Sequence, residues 1–428
     1  MKTYYILVIG CQMNQADGER IDCYWQSLGL KKTAAVQTAD LIILVTCGVR
    51  QTAEDRVYGL IPRVLADKPT AKIILTGCLA GRSDVRARLA RYHQLSWLPI
   101  TSLPSWGERL GLSATDQAGS LNYLSLPANY QSRASAYVPI GNGCDNFCAY
   151  CVVPYARGRE VYRPHTEIAA EVKKLLAQGY QEITLIAQNV NSYRSPSEVH
   201  VGFKELLALL DDLDGEYWLR FATSHPKDMS EELIKTVARG RHTCQHFHLA
   251  LQSGADEILQ KMNRGYTSQH FLALVDLIRR ISPDAAISTD IIVGFPGETD
   301  EQFQQTVKLM RAACFDQAFI AQYSPRPGTA AAQLTDDVPA VVKAERVALL
   351  TTILRQTARA NHQKYLGREL EILVSAARKK NGQYFYSGKS ATFQTVHFTT
   401  GQADLVGKLA FIKISQARDF GLAGDLIV

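Results

Sequence analysis

Short apolar runs alternate with helical stretches through most of this 428-residue chain, and that alternation admits few folds. Near the start, residues 4–9, 41–45 and 73–75 are apolar and rich in β-branched side chains, which predicts strands. Residues 17–28, 51–66 and a stretch from about 83 have helical patterns. Strand, helix, strand, helix with strands this short predicts a parallel sheet, whose ligands collect beyond the carboxyl ends of its strands. Cys11, Cys47 and Cys78 each follow closely on one of these runs. A parallel sheet would bring all three to one edge, as a three-thiolate site assembled from distant parts of the chain. A lone cysteine there is usually a buried small hydrophobe; three in register are harder to explain that way.

The pattern repeats between residues 137 and about 324. Strand-like runs at 137–140, 183–187, 218–222, 247–251, 287–293 and 317–323 alternate with helical stretches such as 167–178, 231–238, 268–280 and 300–312. Six such units predict a partial barrel with its chemistry at the carboxyl ends of the strands. Polar residues fall there: Gln188, Asn189 and Asn191 after the second strand, Ser224 after the third, Gln252 and Ser253 after the fourth. Asp290 lies in the fifth, and Gly294 follows it. Amides and hydroxyls beside a glycine turn could hold an amino acid, a ribose and an adenine. The competing reading of any one of them is a turn residue. His225, followed by Pro226, and His248 read as structural, and Cys23, Cys244 and Cys314 as thiols without partners.

Residues 141–164, GNGCDNFCAYCVVPYARGREVYRP, carry the strongest chemical signal. Cys144, Cys148 and Cys151 have three and then two residues between them, with Tyr150 before the last. Thiolate is the soft ligand that iron–sulfur centres take, and three thiolates on one loop can hold three corners of a 4Fe-4S cluster. The fourth iron is then free to bind a substrate. Zinc is the alternative, but a structural zinc site wants four protein ligands. The nearest extra candidate, His165, lies 14 residues beyond Cys151.

The spacing C-x-x-x-C-x-aromatic-C resembles that of the radical S-adenosylmethionine (SAM) enzymes, and residues 144–164 resemble their methylthiotransferase branch. The resemblance recurs in order along nearly the whole chain, at 10–15, 188–191, 220–226, 251–254, 290–298 and 326–329. It implies a radical SAM methylthiotransferase with two 4Fe-4S clusters, one on Cys144, Cys148 and Cys151 and an auxiliary one on Cys11, Cys47 and Cys78. It further implies SAM as cofactor, with Tyr150, Gln188, Asn189, Asn191, Ser224, Gln252, Ser253, Asp290 and Gly294 as contacts. The implied reaction replaces an aromatic C–H of isopentenyl-adenosine, beside the anticodon of tRNA, with C–S–CH3. Sister branches act on threonylcarbamoyl-adenosine in tRNA or on an aspartate of a ribosomal protein. An iron–sulfur protein that only binds tRNA or senses redox state is the non-enzymatic alternative. An electron donor such as a flavodoxin or ferredoxin, and a sulfur donor, are implied partners.

Length and composition bound the rest. A chain this long exceeds one ordinary core, which predicts several domains. We expect an N-terminal domain at 1–106 and a linker at 107–136 with a short strand at 123–126. A central domain at 137–360 and a small all-β barrel at 361–428 would follow, the barrel preceded by a helix at 341–363. The expected fold class is thus α/β, with a parallel sheet, a partial (β/α)6 barrel and a C-terminal barrel that resembles the RNA-binding TRAM domain. Of the net charge of +6, +4 falls in residues 362–428, with nine Lys or Arg against five Asp or Glu. That favours contact with phosphates. The start, MKTYYILVIG, is too short an apolar stretch for a signal peptide, and nowhere do roughly 18 apolar residues run together. Nine cysteines fit a reducing compartment, so the expected location is the cytoplasm, without a membrane partner.

Overall fold

The computed structural model describes residues 1–49, 51–112 and 122–427. The N-terminal sheet comprises β1 (Thr3–Ile9), β2 (Lys31–Lys32), β3 (Leu41–Thr46), β4 (Lys72–Gly77) and β5 (Leu95–Trp97), ordered β2-β1-β3-β4-β5. All its pairings are parallel. Both faces are covered, so β3 is buried along its whole length. Ile43 and Val45 pack with Trp25 and Trp106, while Ile42 and Leu44 face Val57 and Ile61 on the other side. Each such aliphatic side chain contributes about 1.5–3 kcal/mol when fully buried. Ile9 pairs with Thr46, and Thr46 with Gly77, so the three central strands end level.

After β6 (Ser135–Pro139) the chain forms a small hairpin of β7 (Gly141–Asn142) and β8 (Val161–Tyr162) around the cysteine loop. It then lays down β9 (Glu182–Ile186), β10 (Trp218–Ala222), β11 (His246–His248), β12 (Ala286–Val293) and β13 (Gln317–Gln322). Two parallel three-stranded sheets, β10-β9-β6 and β11-β12-β13, are joined by bridges at Leu219–Thr243 and Ser224–Leu249. Six parallel strands thereby make the expected partial barrel. Leu219 and Phe221 go to the helix-covered core, and Arg220 between them goes to the opposite, inner face.

The helix Ala340–Gln363 leads to a closed barrel of β14 (Glu369–Lys380), β15 (Gln383–Ser390), β16 (Thr395–Thr400), β17 (Leu409–Arg418) and β18 (Gly421–Leu426). Its 390–394 turn seats against the amino end of the central barrel. Arg220 donates to the carbonyls of Ala391 at 2.9 Å and Ser390 at 2.8 Å, and Phe393 stacks on His246 at 4.7 Å. That end is closed, which leaves the carboxyl end for ligands.

Two details differ from expectation. Residues 123–126 are not a strand: Tyr123–Ser125 is a 3-10 turn, because the Asn122 side chain accepts from the Leu124 amide at 3.1 Å. Tyr123 and Leu124 are buried in the N-terminal core, within the stretch read as linker. The fifth barrel strand, Gly421–Leu426, had no strand-like pattern in sequence. Among the described residues no helix is long and apolar enough to cross a membrane.

Candidate metal centres

The level strand ends deliver Cys11, Cys47 and Cys78 to one edge. Gly77 makes the last turn possible: its φ is +80°, and a Cβ there would lie 2.2 Å from the Thr46 carbonyl oxygen. The Cys47 thiol hydrogen-bonds Cys11, which lowers the pKa of Cys11 and raises that of Cys47. Cys78 adds its own charge to the environment of Cys47. The three residues are therefore within electrostatic reach of one another. The Val49 amide donates to Cys47 Sγ at 3.4 Å. Beside Cys11 opens a cavity of about 540 Å³, lined by Gly10, Gln12, Gln15 and Gln131 among others.

The second group sits on the loop between β7 and β8. Gly143, with φ +86°, lets the chain pass where a Cβ would meet the Arg159 carbonyl oxygen at 2.1 Å. Its amide donates to Gln188 Oε1 at 2.7 Å, tying the loop to the end of β9. From the other side, Asn263 Nδ2 donates to the carbonyls of Asn146 and Phe147 at 3.2 and 3.1 Å. Burial, followed by the charge of Cys148, pushes the Cys151 thiol up to about 12. Such thiols are poor anions alone and need a metal to hold them as thiolates.

Both groups have donors aimed at sulfur. Asn146 Nδ2 lies 3.5 Å from Cys144 Sγ, and Arg264 Nη1 lies 3.2 Å from Cys148 Sγ. Arg157 Nε lies 3.3 Å from Cys78 Sγ. With the Val49 amide, the sulfurs of Cys47, Cys78, Cys144 and Cys148 each have a nitrogen donor within 3.5 Å. Among the described residues no three His, Cys, Asp or Glu converge on a point to hold a single ion. A cluster makes a different demand, thiolates held apart around a polynuclear core, with donors on the sulfurs to set its potential. The donor set fits that demand.

The two groups meet at the seam between the domains. Arg157 is 5% exposed; it reaches back from the second loop to Cys78, with Nη2 at 2.7 Å from Asp17 Oδ2 and Nη1 at 2.9 Å from Asn142 Oδ1. Arg326 likewise donates to Gln51 Oε1, Glu54 Oε2 and the Val49 carbonyl, clamping the segment after Cys47. Arg157 and Arg326 are both buried links between domains. Arg20–Glu171 is a third such pair, and Met13 and Ala16 pack on Tyr137 and Ile186.

The other expected contacts surround the carboxyl end of the barrel in different states. Tyr150 packs with Ala149 against Phe295 and Tyr323. Asn189 and Asn191 are engaged by the following turn: both side-chain oxygens accept from the His225 amide, at 3.1 and 2.9 Å. Asn189 Nδ2 also holds Asp228, and Asn191 Nδ2 the His225 carbonyl. Ser253 is fully buried, its Oγ accepting from the Ala255 amide at 3.2 Å. The Gly294 amide donates to Glu298 Oε2 at 2.6 Å. Gln252 has φ +71°, and its amide donates to the Asp290 carbonyl at 2.8 Å. Asp290 Oδ2 contacts His248 Nε2 at 2.9 Å. Ser224 Oγ and His225 Nε2 are buried without a partner among the described residues. Burial, reinforced by Arg264 and Lys227, pushes His225 down to about 2, so its ring is neutral. With Nδ1 accepting from the Lys227 amide, Nε2 carries the hydrogen. Thr223, at φ +73°, is a β-branched residue in a strained conformation, of the kind that collects at working sites.

Sequence reading missed Arg264. Its sulfur partner lies 116 residues away, and the local sign was an arginine beside Gly265, just beyond the short helix Asp256–Lys261.

A partial barrel with a three-cysteine loop at its mouth, facing a second three-cysteine edge, defines a protein of the radical SAM class. The pattern of the Radical SAM superfamily matches residues 138–310, and that of the uncharacterized protein family UPF0004 matches residues 3–95. The chain is 39% identical to the tRNA-2-methylthio-N(6)-dimethylallyladenosine synthase of Clostridium novyi, covering 100% of this chain and 97% of the relative. It is also 39% identical to the enzyme of the same name from Carboxydothermus hydrogenoformans, covering 100% and 99%. The fold is similar to that of the radical SAM methyltransferase TsrM from Kitasatospora setae, with TM-score 0.55 and 15% identity over 78% of this chain and 77% of that one. The chain belongs to the tRNA-2-methylthio-N(6)-dimethylallyladenosine synthase family of radical SAM methylthiotransferases.

Proposed function

We propose that this enzyme methylthiolates isopentenyl-adenosine next to the anticodon of tRNA. The observation that carries the reading is the meeting of two three-cysteine groups at one seam, in a chain matched end to end by relatives of that name. Cys144, Cys148 and Cys151 would hold one 4Fe-4S cluster, and Cys11, Cys47 and Cys78 the other. When bound, the clusters and SAM supply reductive cleavage to a carbon radical and a sulfur to be methylated, chemistry that no side chain here could perform on an unactivated C–H.

The chain's own residues position and insulate. Gln188 and Asn263 pin the cysteine loop from opposite sides. Asn189 and Asn191 set the His225 turn, leaving the His225 Nε2 hydrogen and Ser224 Oγ as polar groups for a ligand. Tyr150, Gln252, Ser253, Asp290 and Gly294 complete the proposed SAM surround. The +4 of residues 362–428 suits the phosphates of an anticodon stem-loop. The reading also takes in a one-electron donor of flavodoxin or ferredoxin type, a sulfur donor and a cytoplasmic location.

The test is mass spectrometry of tRNA nucleosides from a deletion strain, with and without the gene restored. Loss of the methylthio form with accumulation of isopentenyl-adenosine is expected. Accumulation of threonylcarbamoyl-adenosine would move the enzyme to the sister branch, and no change in either nucleoside would overturn the reading.

A further inference from the structure

Among the described residues eight arginines are buried, and seven of them lie within 4.0 Å of a carboxylate. Arg264 is the eighth. It is 4% exposed, and among the described residues it has no carboxylate partner within 4.0 Å. Its Nε donates to the Tyr266 hydroxyl at 3.2 Å, Nη2 to the Ala250 carbonyl at 2.6 Å, and Nη1 to Cys148 Sγ at 3.2 Å. The first two acceptors are neutral dipoles. A buried cation without a counter-charge is expensive, and a native fold does not keep one without compensation. Of these three acceptors among the described residues, the Cys148 sulfur is the one that is anionic when it holds a metal as thiolate.

The auxiliary side makes the contrast. There Arg157 also donates to a cysteine sulfur, but its charge is already balanced by Asp17 at 2.7 Å. Each cysteine group thus receives one guanidinium, neutralised at Cys78 and bare at Cys148.

We propose that Arg264 is the built-in counter-charge of the Cys144, Cys148 and Cys151 site, and that it raises the reduction potential of the cluster held there. This rests on the reading that those cysteines carry a 4Fe-4S cluster. Three thiolates around a core of charge +2 give a net charge of −1, and taking up one electron gives −2. A fixed positive charge at hydrogen-bond distance favours the more negative state, so reduction becomes easier. Arg264 acts through the cluster, as a positioning residue.

The experiment is an EPR-monitored redox titration, without SAM, of the full chain reconstituted anaerobically in a Cys47→Ala background, which leaves one cluster to titrate. Iron is counted first. If the parent takes up no iron at Cys144, Cys148 and Cys151, the functional reading fails before the proposal is reached. Given a loaded parent, Arg264→Gln is expected to lower the equilibrium constant for reduction at least tenfold, about 59 mV for a one-electron couple. Arg264→Lys, which keeps the charge, should stay within threefold of the parent. If Arg264→Gln fails to load while Arg264→Lys loads and titrates like the parent, the counter-charge role is supported. The proposal is overturned if Arg264→Gln titrates within threefold of the parent, including the case where only its SAM affinity falls. It is equally overturned if Arg264→Lys is as impaired as Arg264→Gln.

Discussion

Replacing Arg157 by methionine should open the seam between the domains. The guanidinium is buried, and its loss strands three groups at once: Asp17, with a side chain 1% exposed, Asn142 Oδ1 and Cys78 Sγ. Asp17 Oδ1 already lacks a partner, so among the described residues no second donor stands ready for the carboxylate. Removing one member of a buried ion pair costs about 3–5 kcal/mol. Replacing both members by apolar side chains is often close to neutral, so Arg157→Met with Asp17→Leu should recover most of that cost. A chain of several domains does not unfold in one step, and the local opening must be read directly. Hydrogen exchange on the helix Gln12–Ser27, which carries Asp17, reads it. With a factor of ten per 1.4 kcal/mol, the single variant should raise its opening constant about 100-fold to 1,000-fold or more. The double variant should return at least tenfold of that. Exchange in the single variant within threefold of the parent would refute the argument, as would a double variant no better protected than the single.

Cys47→Ala should retain about half the iron, counting two equal clusters, and still form 5'-deoxyadenosine, while losing all methylthiolated product; unchanged iron would remove the auxiliary site. Arg220→Ala should release the C-terminal barrel from the central one, since it loses two carbonyl contacts and the Glu182 pair at 2.6 Å. Limited proteolysis near residues 364–368 should then quicken, and an unaltered cleavage pattern would count against the docking described. Lys389 supplies a pH test: burial, with Arg220 adding repulsion, pushes it down to about 8. A free lysine titrates near about 10.4, so between those values the unfolded chain binds more protons and stability rises with pH. Lys389→Met should abolish that rise in thermal melts between pH 8 and 10.4, and a rise equal to the parent's would assign it elsewhere.

The parts of the site that follow from local pattern were legible. Cys144, Cys148 and Cys151 declare themselves by spacing within one loop. Cys11, Cys47 and Cys78 could be joined because strand ends in a parallel sheet fall at one edge, and the register of β1, β3 and β4 makes those ends level. What was not legible depends on distance in sequence. Arg157 is 140 residues from Asp17 and Arg326 is 275 from Gln51, so nothing in either neighbourhood marks it as buried. The Gly421–Leu426 strand was hidden for a different reason. GLAGDL has little β propensity, and it is held by pairing to β16 and β17. Asn122 capping the 3-10 turn outweighed the apolar pattern of residues 123–126 by offering the Leu124 amide a local partner.

The same logic explains why the two cysteine groups lie at the seam. A parallel sheet offers ligands only the loops beyond its carboxyl edge, and a partial barrel closed at its amino end by Phe393 and Arg220 offers only its mouth. Joining the two edges through Arg157, Arg326 and Arg20 is what brings cysteines from opposite domains within electrostatic reach, so that Cys78 contributes to the charge felt by Cys151. Each of those links pairs an arginine with a carboxylate. Arg264 breaks the rule at the one sulfur where the proposed cluster must gain an electron. Carboxylate-paired links for assembly and one bare cation for reduction are separable roles. A variant of Arg157 should therefore loosen the seam while leaving the potential at Cys148 nearly unchanged, and a variant of Arg264 should do the reverse.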